Sequence, residues 1–73
     1  MNPWNLTPAE VQAMDAMCDH GSYKGAARAI GKSARTLENQ VGAAAKRMGM
    51  QTALQRYLAW DRWRRENVEL TGP

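Results

Sequence analysis

Apolar residues recur along the chain at intervals of three and four, and glycines break that rhythm at regular places. The first periodic stretch holds Val11, Met14, Met17 and Cys18 on one helical face. Before it stands Thr7-Pro8-Ala9-Glu10, the pattern of a capping box with proline at the first helical position, where no amide donor is needed. Leu6 and Val11 take the two places of a hydrophobic staple, and Gly21 supplies a left-handed end. A second, short helix is predicted from a Ser22 cap to Ala29 or Ile30, with Tyr23, Ala26, Ala27 and Ile30 on one side and Gly31 as its stop.

Only Lys32 separates that stop from the next cap, Ser33, a turn too tight for antiparallel packing and the signature of a helix-turn-helix. Ala27 lets the two helices approach closely. The third helix, 33–48, divides into an inward face of Leu37, Val41, Ala44 and Met48 and an outward face of Arg35, Glu38, Asn39, Gly42, Ala43 and Lys46. Gly49 ends it, with Met50 placed to fold back. A fourth helix is predicted over about 51–66, with Leu54, Tyr57 and Leu58 on one side and Ala53, Arg56, Trp60 and Trp63 toward the other. Two apolar sides need two partners. The domain's own core is one; the tryptophan side is left for a second chain or a folded-back N-terminus. The expectation is an all-α, four-helix protein, a single domain over 1–73 with its core at about 6–66 and a frayed tail at 67–73.

Charge changes the picture from fold to partner. Residues 1–23 carry only Glu10, Asp15 and Asp19, a balance of −3, whereas 24–47 carry six basic residues against Glu38, a balance of +5. The remainder adds +1, for the net +3. A basic middle section beside an acidic first section is the footprint of a surface that meets phosphates. Cys18 and His20 are the sole members of their types, so neither a disulfide framework nor a zinc ligand set is expected, and a structural role is assigned to both. No paired carboxylates, phosphate-cradling glycine loop or Ser-His-Asp set is placed for catalysis, which argues against an enzyme, and no cofactor is implied. Without a long apolar run or the charged-then-apolar start of a signal peptide, the chain is expected in the cytoplasm, at the nucleoid if it binds DNA.

Leu6-Thr7-Pro8-x-Glu10, Gly21-Ser22-x-Lys24-x-x-Ala27, Ser33-x-x-Thr36-Leu37 and Lys46-Arg47-Met48-Gly49-Met50 follow one another at close-fitting spacing. Together they resemble the LuxR/GerE-type DNA-binding domain from Leu6 to roughly Trp60. The resemblance implies a four-helix domain whose second and third helices form the helix-turn-helix and whose fourth commonly mediates dimerisation. Three positions depart from it: Lys32 stands where an apolar residue is usual, Gln40 where histidine is frequent, and Ala44 where a larger aliphatic is common. There is no room in the chain for the sensor or receiver domain that usually accompanies this type.

The resemblance places base readout at Glu38, Asn39 and Gly42, with Arg35 in reach of bases or phosphates. Asn39 suits adenine, Glu38 can accept from cytosine, and Arg35 would favour guanine. Lys24, Arg28, Ser33, Thr36, Lys46 and Arg47 are expected at the phosphates. A blander alternative pairs Glu38 with Arg35 along the helix. The dimer interface is expected at Ala53, Arg56, Trp60 and Trp63, the alternative being that Trp60 and Trp63 pack under Pro3-Trp4. The functional expectation is a homodimeric transcription regulator on a palindromic double-stranded DNA site. The runner-up is a small interaction protein that pairs through the fourth helix with a larger LuxR-type regulator.

Overall fold

The computed structural model describes residues 2–71, with side chains as far as residue 67, and holds four helices and no strand among them. Helix α1 is Pro8–His20, α2 Tyr23–Ile30, α3 Ala34–Met48 and α4 Ala53–Thr71. The capping chemistry sets the first boundary. The Thr7 hydroxyl accepts from the Glu10 amide at 3.2 Å, and Glu10 Oε1 accepts from the Thr7 amide at 2.8 Å, which satisfies two amides that the first turn would otherwise orphan. Ser22 and Ser33 each satisfy one amide at the start of α2 and α3, accepting from Gly25 and Thr36, both at 3.1 Å.

The corner between α2 and α3 requires a residue at positive φ. Gly31 sits at φ 69°, ψ 31°, and the chain turns there with the Gly31 amide donating to Arg28 O at 3.3 Å and the Lys32 amide to Ala27 O at 2.9 Å. A side chain at that φ would be strained, so the turn depends on glycine for its backbone and not for space.

The core lies where α1, α2 and α3 meet and is closed by α4. Ala13, Met14, Ala16 and Met17 of α1, Ala26 and Ala27 of α2, and Leu37, Val41, Ala44 and Met48 of α3 are buried together with Leu6 and Trp60. All four inward residues predicted for α3 are therefore inside. The alanines are what the close helix approaches demand, and the three methionines, Met14, Met17 and Met48, fill the irregular space between them. Tyr23, expected on the apolar side of α2, is 38% exposed.

The fourth helix corrects the sequence reading. Leu54 and Leu58, assigned to the core, are 68% and 61% exposed, while Trp60 is wholly buried. The tryptophan side wins because it can bury more apolar surface and satisfy its polar atoms as well. Trp60 Nε1 donates to Asp15 Oδ1 at 2.7 Å, and Trp4 folds back over the same side. Arg64, on that side, reaches Asp15 at 3.5 Å, Asp19 at 2.8 Å and Asp61 at 2.9 Å, tying α4 to α1. The helical backbone also runs on to Thr71, where the sequence predicted an end near Glu66 and a frayed tail; residues 72 and 73 lie outside the described part.

Candidate nucleic-acid interface

The outward side of α3 presents one continuous polar surface. Arg35, Glu38, Asn39, Gly42, Ala43 and Lys46 are all exposed, spaced so that successive members lie on one side of a helix. No side-chain hydrogen bond or ion pair occupies any of them among the described residues, and Glu38 does not pair with Arg35. A β-carbon built on Gly42 would meet nothing within 4 Å, so the surface is open at its centre and flat enough to lie against another body.

The phosphate candidates divide by surroundings. Lys24 and Arg28 on α2 and Lys46 at the end of α3 are exposed and unpaired among the described residues. Ser33 and Thr36 are exposed at the start of α3, where the Ser33 hydroxyl both accepts from the Thr36 amide at 3.1 Å and donates to Thr36 Oγ1 at 2.9 Å. Arg47 stands apart. Its Nε lies 3.1 Å from Glu10 Oε1 and 3.3 Å from Oε2, although its side chain keeps 46% of its exposure.

Glu10 is the buried partner in that pair, 5% exposed. The Thr7 amide holds its carboxyl below the usual value against the opposing effect of burial, with Arg47 adding to the lowering. The sequence identified Glu10 as a cap. It carried no signal for the contact with Arg47, which lies far along the chain and is made by the packing of α1 against α3.

The expected dimer surface is largely taken up within the chain. Trp60 is enclosed by Trp4, with ring centroids 5.9 Å apart, and by Trp63 at 5.1 Å. Trp63 also meets Trp4 edge-on at 6.5 Å. The folded-back N-terminus thus covers this side: Trp60, expected against a second chain, is wholly buried within this one, and Trp63 is half-buried in the same cluster. Asn2 fastens the arm, its Oδ1 accepting from the Leu6 amide at 2.7 Å, and Asn5 turns at a positive φ of 58°. Arg56 is turned inward, its Nη1 donating to the Met50 carbonyl at 3.1 Å, with Nε buried and unpartnered among the described residues. Only Ala53 of the four remains open. The exposed apolar pair on α4 is instead Leu54 and Leu58, followed along the helix by Asp61, Arg62, Arg65 and Glu66, which with Leu58 line a shallow groove.

Gln40, one of the departures from the resembled pattern, is half-buried with its Oε1 enclosed, so it belongs to the body of the domain and not to the open surface. Cys18 is half-buried; its Sγ lies 3.7 Å from the Tyr57 carbonyl, and burial pushes the thiol up to about 11. No group of three or more His, Cys, Asp or Glu side chains could hold a metal among the described residues, and none of the described helices is long and apolar enough to cross a membrane. No protein-family model, no curated protein and no solved structure matches this chain.

Proposed function

We propose that the chain is a LuxR/GerE-like helix-turn-helix protein that reads double-stranded DNA with α3 and regulates transcription as a homodimer. The observation that carries this reading is the outward side of α3. Arg35, Glu38 and Asn39 stand open beside the bare backbone of Gly42, without partners among the described residues, and are flanked by the basic side chains of Lys24, Arg28 and Lys46, likewise unpaired among those residues. A solvated face would be expected to carry more long charged side chains. A face that is small at its centre and hydrogen-bonding at its edges suits a major groove, where Asn reads adenine and Arg reads guanine at about 1–3 kcal/mol per good pair. The flanking bases add affinity without sequence preference.

The homodimer is supported by Leu54 and Leu58. A two-fold axis between them sets Leu54 of one copy against Leu58 of the other on antiparallel helices and removes four exposed leucine side chains from water. Two α3 helices would then meet half-sites about one helical turn apart, roughly 34–36 Å. The same surface supports the second reading, pairing with a larger regulator of this type.

The test is selection of preferred sequences from random DNA, run beside Asn39→Ala and Lys46→Ala. A palindromic motif that relaxes at one position with Asn39→Ala and weakens uniformly with Lys46→Ala is the expected result; failure to enrich any motif overturns specific regulation. Leu58→Glu should convert a dimer to a folded monomer by light scattering. A monomeric wild type that instead binds a purified larger regulator through Leu58 would favour the second reading.

A further inference from the structure

Glu10 is the one buried charged side chain among the described residues. A carboxylate is kept out of water only where partners offset its lost hydration. Its Oε1 accepts from the Thr7 amide at 2.8 Å, but that capping bond calls for one acceptor oxygen and a glutamine would supply it. The negative charge and the second oxygen are explained by Arg47, whose Nε sits 3.1 Å and 3.3 Å from the two oxygens.

The contact is made through Nε, on the inner edge of the guanidinium. Arg47 lies in the last turn of α3 next to the open Lys46, its side chain remains 46% exposed, and its Nη groups hydrogen-bond to no residue other than Glu10 among the described ones. A guanidinium gripped at Nε and open at its Nη groups is a fork whose orientation is settled before a ligand arrives. Forked donors match a phosphate, and fixing them beforehand lowers the entropy lost on binding.

We propose that Glu10 is a positioning residue that aims Arg47 at a DNA backbone phosphate beside the C-terminal end of α3. The proposal rests on the DNA-binding reading above. Glu10 touches no DNA itself, and its charge partly offsets that of Arg47, so its contribution is orientation.

The experiment measures affinity for a selected DNA site across a range of salt for wild type, Glu10→Gln, Arg47→Gln and the double variant, with urea unfolding of each to establish the folded fraction. Arg47→Gln should flatten the dependence of log affinity on log salt by about 0.9. Glu10→Gln should weaken binding severalfold at every salt concentration while keeping the slope, and the double variant should match Arg47→Gln alone. Arg47→Lys leaves the α1 cap untouched and gives a second line of attack: it should keep the slope but lose the affinity that Glu10→Gln loses. An unchanged Glu10→Gln, an additive double variant, an Arg47→Gln slope equal to wild type, or Arg47→Lys binding as tightly as arginine each overturns the positioning role while the DNA-binding reading stands. A wild-type protein without DNA affinity at any salt overturns both.

Discussion

Replacing Trp60 with alanine separates the two roles that a tryptophan on α4 can have. Trp60 is wholly buried, packed between Trp4 and Trp63 at 5.9 and 5.1 Å, and its Nε1 donates to Asp15 at 2.7 Å. Truncating so enclosed an aromatic costs about 3–5 kcal/mol, and the aromatic contacts lie within that figure. Asp15 adds little, because its side chain is 41% exposed and water can replace the lost donor. A domain of this length has only about 4–11 kcal/mol of stability at ordinary values per residue. Trp60→Ala should therefore remove from about a quarter to all of it and lower the melting temperature by roughly 15 °C at least. Trp60→Phe, which keeps a ring but loses the N–H, should cost distinctly less. Urea unfolding followed by far-ultraviolet circular dichroism reads both, at a concentration where any dimer is dissociated. If Trp60→Ala unfolds within about 0.5 kcal/mol of wild type, the tryptophan is not part of this chain's core and the orientation of α4 is wrong.

Other perturbations probe the remaining links. Gly42→Ala meets open space on the outward side of α3, so helix propensity alone should stabilise the protein by about 0.5–1 kcal/mol in urea, while the added methyl lowers DNA affinity if that side enters the groove; a variant that binds DNA as well as wild type would remove Gly42 from the interface. Glu10 and Asp19 are both held below their ordinary values of 4.5 and 3.8, Glu10 chiefly by the Thr7 amide and Asp19 chiefly by Arg64. The unfolded chain therefore binds more protons in acid, so their contribution to stability is complete above about pH 5 and is lost as pH falls through and below about 4; a urea midpoint that holds constant down to about pH 3 would contradict this. Cys18, raised from 9.0 to about 11 by burial, should react with an alkylating reagent about a hundredfold more slowly in the folded protein than in urea at neutral pH, and equal rates would show the thiol to be open.

The boundaries of the first three helices were legible because they are made by local chemistry. Thr7 with Glu10, Ser22, Ser33 and the glycines at 21, 31 and 49 act within a few residues of themselves, and the structure uses each where its type predicts. The inward side of α3 was legible for a related reason. Leu37, Val41, Ala44 and Met48 form its one continuous apolar stripe, so periodicity leaves a single way to bury it. The outward residues follow from the same division.

The chain's order of residues could not decide which side of α4 faces inward, since that helix offers two apolar sides and periodicity ranks neither. Tertiary structure decided it through contacts far apart along the chain: Trp4 lying over Trp60 and Trp63, Asp15 receiving the indole N–H, and Arg64 bridging to the acids of α1. That choice left Leu54 and Leu58 outside and moved the surface available to a second chain from the tryptophans to the leucines. The grip of Glu10 on Arg47 arose in the same way. Caps and stripes are properties of a few neighbouring residues, whereas the partner of an amphipathic side or of a buried charge is whatever the folded chain brings against it.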